Sequence, residues 1–123
     1  MILIDTNIFI EIFRDNVSIA SIVDNIPDIV VCDVVRAELF YGARNKTDLH
    51  EISADLEGVP ILSLLPQISE MAVSLVKTYC LSHKLELADA LIAATAIHYD
   101  VELYTLNRKD FVFITNLKLY EPE

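Results

Sequence analysis

Apolar positions run along this chain in two rhythms. Short unbroken runs at Met1 to Ile4 and Ile29 to Cys32 read as strands buried on both faces. Pro60 to Leu64, Val101 to Leu106 and Leu117 to Tyr120 are further strand candidates. Between them the period changes to helical. After Asp5, the segment Thr6 to Arg14 places Ile8, Ile12 and Phe9 on one face. From Val17, residues Ile19, Ile22, Val23 and Ile26 repeat that spacing until Pro27 stops the helix. Asp33 is the expected N-cap of a helix carrying Val34, Val35, Leu39 and Phe40 towards Gly42. Leu49, Ile52 and Leu56 mark another, ended by Gly58.

The most regular segment follows Pro66, where Ile68, Met71, Ala72, Leu75, Val76, Tyr79 and Cys80 share one helical face. Leu87 to about Tyr99 is small and apolar nearly all round, as expected of a central helix packed closely on a sheet. Strands alternate with helices and hairpin signals are almost lacking. That pattern predicts one α/β domain over residues 1–123, a three-layer arrangement with a central parallel sheet covered by helices on both faces.

Hydrophobic residues make up 54% of the chain and the mean hydropathy is +0.44. Doubly covered strands and apolar surface buried against a partner both explain that excess. A membrane span does not, because no stretch approaches the roughly 20 apolar residues a bilayer requires. A cytoplasmic protein is therefore expected. Cys32 and Cys80 lie apart inside apolar patterns and read as buried thiols. His50, His83 and His98 are equally scattered and read as exposed helix residues.

The formal net charge of −10 changes the picture most. Phosphate affinity normally comes from Lys and Arg, so the balance argues against simple nucleic-acid binding. It allows another route, in which clustered acids hold a cation and the cation meets the phosphate. The acids fall where such clustering is possible. Asp5 ends the first strand, Asp89 begins the Ala-rich helix, and Glu38 lies beside the buried stripe of its helix. Asn107 and Asp110 follow the strand around Leu103 to Thr105. In open α/β sheets the functional crevice lies beyond the carboxyl ends of the strands, which is where these segments lead. Taken singly each acid has an ordinary explanation: Asp5 and Asp89 as helix caps, Glu38 as a surface helix former, Asp110 and Asn107 as turn residues. Gathered together they would repel unless a hard cation such as Mg²⁺ or Mn²⁺ lay among them.

The segments MILIDTNIFIEIFR, VVRAELFYGAR and LADALIAATAIHYDVELYTLNRKDF resemble, in order and approximate spacing, the motifs of PIN-domain proteins of the VapC toxin type. The resemblance runs from Met1 to the final strand. It implies a PIN fold and divalent-metal-dependent cleavage of RNA by the toxin half of a toxin–antitoxin pair, with a homodimer and a cognate antitoxin as partners. Carried over by position, Asp5, Glu38 and Asp89 match the acidic triad. The fourth, often acidic, position falls on Asn107, with Asp110 close enough to replace it in part. Thr6, Asn7 and Thr105 match polar positions that hold the carboxylates by hydrogen bonds.

Several further expectations follow. Arg14, Arg36, Arg44, Arg108 and Lys109 flank the motifs and are candidates for phosphate contacts. Five Tyr, five Phe and no Trp give no sign of a base-stacking platform. The segments 17–26 and 46–57 are candidate dimer surfaces. A phosphatase of the haloacid dehalogenase type would need a second acid where Asn7 stands, and a phospho-acceptor receiver would need adjacent acids and a late Lys. A PIN module kept for RNA or protein binding alone is the remaining alternative, and Asn107 is its support. An antitoxin inserting Arg or Lys among the acids would silence the enzyme.

Overall fold

The computed structural model describes all residues from Met1 to Glu123. Four short strands form one parallel sheet in the order β3-β2-β1-β4: β1 (Ile2–Ile4), β2 (Ile29–Cys32), β3 (Ile61–Leu62) and β4 (Glu102–Tyr104). The two central strands are apolar at every position, because helices cover both faces and leave no side for a polar residue. The strands are shorter than the apolar runs suggest at 60–64 and 101–106, since only residues with a neighbour in register extend the ladder. Leu117 to Tyr120 contributes one parallel bridge, Leu103 to Leu119, and not a full strand. Asn116 turns the chain at φ 71° just before it, and Pro122 cannot donate just after.

Six helices connect the strands: α1 (Thr6–Phe13), α2 (Val17–Asp24), α3 (Asp33–Tyr41), α4 (Lys46–Leu56), α5 (Pro66–His83) and α6 (Leu87–Tyr99). One expectation needs correcting. Asp33 is the first helical residue of α3, not its N-cap; Cys32 holds that place and makes no side-chain cap bond. Asp33 pairs instead with Arg36 at 2.8 Å, and an acid in the first turn still complements the helix dipole. The two thiols are free; Cys32 is buried as expected, whereas Cys80 is only half-buried on α5, and burial pushes Cys32 up to about 11, so it packs as a neutral group.

The sheet order positions the site. The chain steps from β1 to β2 to β3 in one direction, then returns past both to place β4 on the other side of β1. Right-handed crossovers then put α1 to α4 on one face and α5 with α6 on the other. The helix contacts agree, with α1 against α3, α3 against α4, and α5 against α6. The reversal sets the carboxyl ends of β1 and β4 side by side, the location where open α/β sheets bind ligands. Under it lies one continuous core of 28 buried residues, including Leu3, Ile4, Val31, Leu103 and the α6 run Ile92, Ala93 and Ala94. The small side chains of α6 let that helix approach the sheet closely.

Candidate active site

Parallel register places Ile4 beside Tyr104, so the next residues, Asp5 and Thr105, leave the sheet side by side. Both are buried. Asp5 also precedes α1, and its Oδ1 accepts the Thr6 N–H at 2.8 Å. Capping explains only that oxygen. Oδ2 accepts the Thr105 hydroxyl at 2.7 Å and the Asn7 side-chain amide at 3.3 Å. A carboxylate offers about four acceptor positions, so these three bonds leave one free. Burial raises the Asp5 carboxyl above its ordinary range; the hydrogen bonds from Thr105 and Thr6 oppose this and Glu38 adds to it.

Asn7 and Thr105 hold the crevice together from both sides. The Asn7 amide donates to Thr105 Oγ1 at 3.2 Å, and its Oδ1 accepts the Leu106 N–H at 3.1 Å. Thr105 Oγ1 also accepts the Asn107 N–H at 3.0 Å. Glu38 is exposed on α3, and its Oε1 accepts the Thr6 hydroxyl at 2.6 Å. The expectation that Thr6, Asn7 and Thr105 fix the carboxylates therefore matches their hydrogen bonds.

Asp89 is the third residue of α6, and Glu86 stands at the N-cap, so Asp89 is not a cap. It is half-buried and has no hydrogen-bonding or ion-pair partner within the protein. Its carboxyl is pushed up to about 6, first by burial and then by repulsion from Asp5, Glu38, Asp110 and Glu86. Asp110 ends a short 3-10 turn, Arg108–Asp110, after β4. Asn107 is exposed and enters the network only through its backbone N–H. The negative charge beside Asp89 thus comes from Asp110. Glu86 was not singled out from sequence, although its place one helical turn before Asp89 was a usable signal.

No cation of the chain neutralises this group. The ion pairs join Arg14 to Glu11, Arg36 to Asp33, Arg44 to Asp48, Arg108 to Glu121 and Lys118 to Asp100. Four of the five basic residues expected at the rim are therefore engaged elsewhere, and Lys109 alone is free. The donor set is all oxygen, uncompensated and partly desolvated, which suits a hard divalent cation. No three Asp, Glu, His or Cys side chains form a ready-made cage.

A groove of about 830 Å³ reaches Glu38 from the side, between α1, α3 and α4. Phe9, Ile12, Phe13 and Ile52 line its apolar part, and Asp48, Glu51 and Asp55 its acidic rim. Both segments expected as dimer surfaces border it, since Val23 of α2 and Ile52 of α4 are among its walls. No helix is long and apolar enough to cross a membrane.

The PIN domain family model matches residues 2–113. Ribonuclease VapC19 of Mycobacterium tuberculosis is 32% identical over 96% of this chain and 98% of its own length. A toxin–antitoxin complex from Klebsiella pneumoniae contains a chain of the same fold, with a TM-score of 0.82, 29% identity and coverage of 98% of this chain and 99% of that one. VapBC-1 from nontypeable Haemophilus influenzae gives a TM-score of 0.81 at 28% identity, covering 98% of each chain.

Proposed function

We propose, for a chain that belongs to the PIN-domain family, that it is a metal-dependent ribonuclease of the toxin type, hydrolysing RNA phosphodiester bonds at the crevice between β1 and β4. The observation that carries this reading is the convergence of Asp5, Glu38, Asp89 and Asp110 from four separate segments, with no internal cation to neutralise them.

Asp5 and Asp89 are the residues to hold Mg²⁺ or Mn²⁺, Asp5 through its one free acceptor position and Asp89 through a carboxylate with no protein partner. The bound ion would lower the pKa of a water and stabilise charge growing on the phosphoryl and leaving oxygens. The remaining work falls to side chains. Thr105, Asn7 and the Thr6 N–H fix Asp5 in direction and favour its ionised form, partly opposing the burial that raises its carboxyl. Thr6 aims Glu38, an exposed carboxylate of the group, which accepts a proton from the attacking water. Asp110 supplies the negative charge that Asn107 lacks.

Incubation of the purified protein with a mixed RNA pool in Mg²⁺, Mn²⁺ or EDTA tests the proposal. Cleavage is expected with either ion and not with EDTA, and Asp5→Asn or Asp89→Asn should abolish it. Binding of RNA with no cleavage in any metal would favour the alternative, a PIN module acting by RNA or protein binding, to which Asn107 lends support.

A cognate antitoxin is the partner this reading requires. The groove beside Glu38 fits a segment with apolar residues for Phe9, Ile12 and Phe13 and basic ones for Glu51 and Asp55, since Asp48 is already paired with Arg44. A segment seated there ends at the acid cluster, where an Arg can pair bidentately with carboxylates left free of metal. Arg-to-Ala variants of the protein encoded beside this chain should then restore cleavage in the mixed complex. Inhibition that survives removal of every basic residue would point to apolar occlusion alone.

A further inference from the structure

The structure assembles an aromatic cluster that sequence spacing hides. The rings of His83 and Phe113 are stacked, with centroids 3.9 Å apart and planes 10° from parallel. Tyr79 packs its edge against both, at 5.0 Å from Phe113 and 5.9 Å from His83. Tyr79 Oη accepts the Thr115 N–H at 3.3 Å, and Ser82 Oγ lies 2.7 Å from His83 Nδ1, so the rings are held in orientation. We infer that His83 and Phe113, braced by Tyr79, form a stacking subsite for an unpaired base of the RNA strand beside the acidic centre. The inference rests on the ribonuclease reading and extends it to how the strand is held.

Three observations support it. The first is position. His83 ends α5, and the following turn leads directly into the end of α6 that carries Asp89. Phe113 comes three residues after Asp110, which limits their separation to about 11 Å of extended chain. The second is exposure. His83 is exposed even though Phe113 stacks on its ring. The segment does not need that stack to stay in place, because Phe111 and Ile114 already anchor it in the core at 1% and 3% exposure. The third is charge. Of nine Lys and Arg, five are tied in ion pairs. Two of the free ones lie close to it in sequence, Lys84 next to His83 and Lys109 four residues before Phe113. Aromatic faces with adjacent free cations are the combination that binds single strands, the rings taking bases and the cations taking phosphates. Every base has a π-face, so such a subsite orients the strand without reading its sequence.

The test uses the full chain with Asp89→Asn to block cleavage, in Mg²⁺ buffer, and reads binding of a short labelled single-stranded RNA by anisotropy. Adding His83→Ala should weaken binding about 5- to 150-fold, the range for losing one stacked base. His83→Trp should keep it, and His98→Ala, at the far end of α6, should leave it unchanged. An RNA with one abasic position is the decisive probe. At the stacked position the lesion should weaken binding to the His83-containing protein and make no further difference to His83→Ala, the non-additivity expected of contacting groups. In the cleaving protein, His83→Ala should raise KM and leave kcat close to its original value. If RNA is cleaved but His83→Ala binds it as well as the parent, and no abasic position matters, the subsite is refuted and the ribonuclease stands. If the parent neither binds nor cleaves RNA, both readings fall. A loss of thermal stability in His83→Ala with unchanged RNA affinity would assign the cluster to packing and overturn the inference.

Discussion

Replacing Asp89 by Asn should stabilise the metal-free protein near neutral pH while abolishing RNA cleavage. The folded chain holds the Asp89 proton to about pH 6, whereas the unfolded chain releases it near the ordinary value of 3.8. Between those values the folded state binds more protons than the unfolded one, so stability falls as pH rises through the window and stays reduced above it. The full displacement corresponds to about 3 kcal/mol. Asp89 is only half-buried, and solvent screening reduces the figure to about 1 to 1.5 kcal/mol. Asn keeps the shape and removes the charge, so it should recover that amount, or about 4 to 6 °C in Tm for a chain of this size. Thermal melts followed by circular dichroism at pH 7.5 in EDTA measure it directly. The same comparison at pH 4 is the control, because Asp89 is already protonated there in the folded parent and the gain should shrink towards zero. Excess Mg²⁺ should narrow the gap at pH 7.5 as well, by stabilising only the protein that binds it. A variant less stable than the parent at pH 7.5, or a gain of equal size at both pH values, would mean that Asp89 is not held in an uncompensated acidic cluster.

Thr105→Val should lower stability by about 1 to 3 kcal/mol, because it removes a buried donor to Asp5 and an acceptor for both Asn7 and the Asn107 N–H; urea melts and RNA cleavage should fall together, and unchanged cleavage would refute the assigned role of Asp5. Asp110→Asn should weaken Mn²⁺ binding, read by the paramagnetic resonance of the free ion, more than Asn107→Ala does, and the reverse order would return the fourth position to Asn107. Sedimentation equilibrium at micromolar concentration should show a homodimer, as the resemblance to VapC-type proteins implies, and monomer alone would count against it.

The fold was legible because its determinants are local. Unbroken apolar runs, the 3.6-residue period, Pro27, Gly42, Gly58 and Pro66 place all six helices and the four strands to within a few residues, while the fifth run, Leu117 to Tyr120, forms only a bridge. Strand ends were overextended at 60–64 and 101–106, since a ladder needs a neighbour and a sequence does not say where the neighbour stops. The acids were legible as candidates for a similar reason. A strand that stops at Asp5 and a small-residue helix that starts just before Asp89 both direct their polar ends to one edge of a parallel sheet.

What the sequence by itself determined is the class of chemistry: an acidic, cysteine-inert α/β chain whose motifs belong together in one order. The tertiary structure decided which distant charges meet. It paired Arg108 with Glu121 and Lys118 with Asp100, whereas Arg14, Arg36 and Arg44 pair with acids one helical turn away, a spacing the sequence shows. It brought Thr105 to Asp5 across 100 positions, and Asp110 to Asp89. It also built an aromatic cluster from Tyr79, His83 and Phe113, where composition had suggested none. The physical reason is range. Periodicity and capping act over one or two helical turns, so they can be read in order along the chain. The Thr105–Asp5 hydrogen bond, the Asp110–Asp89 repulsion and the His83–Phe113 stack join residues far apart in sequence, brought together only when β4 pairs beside β1.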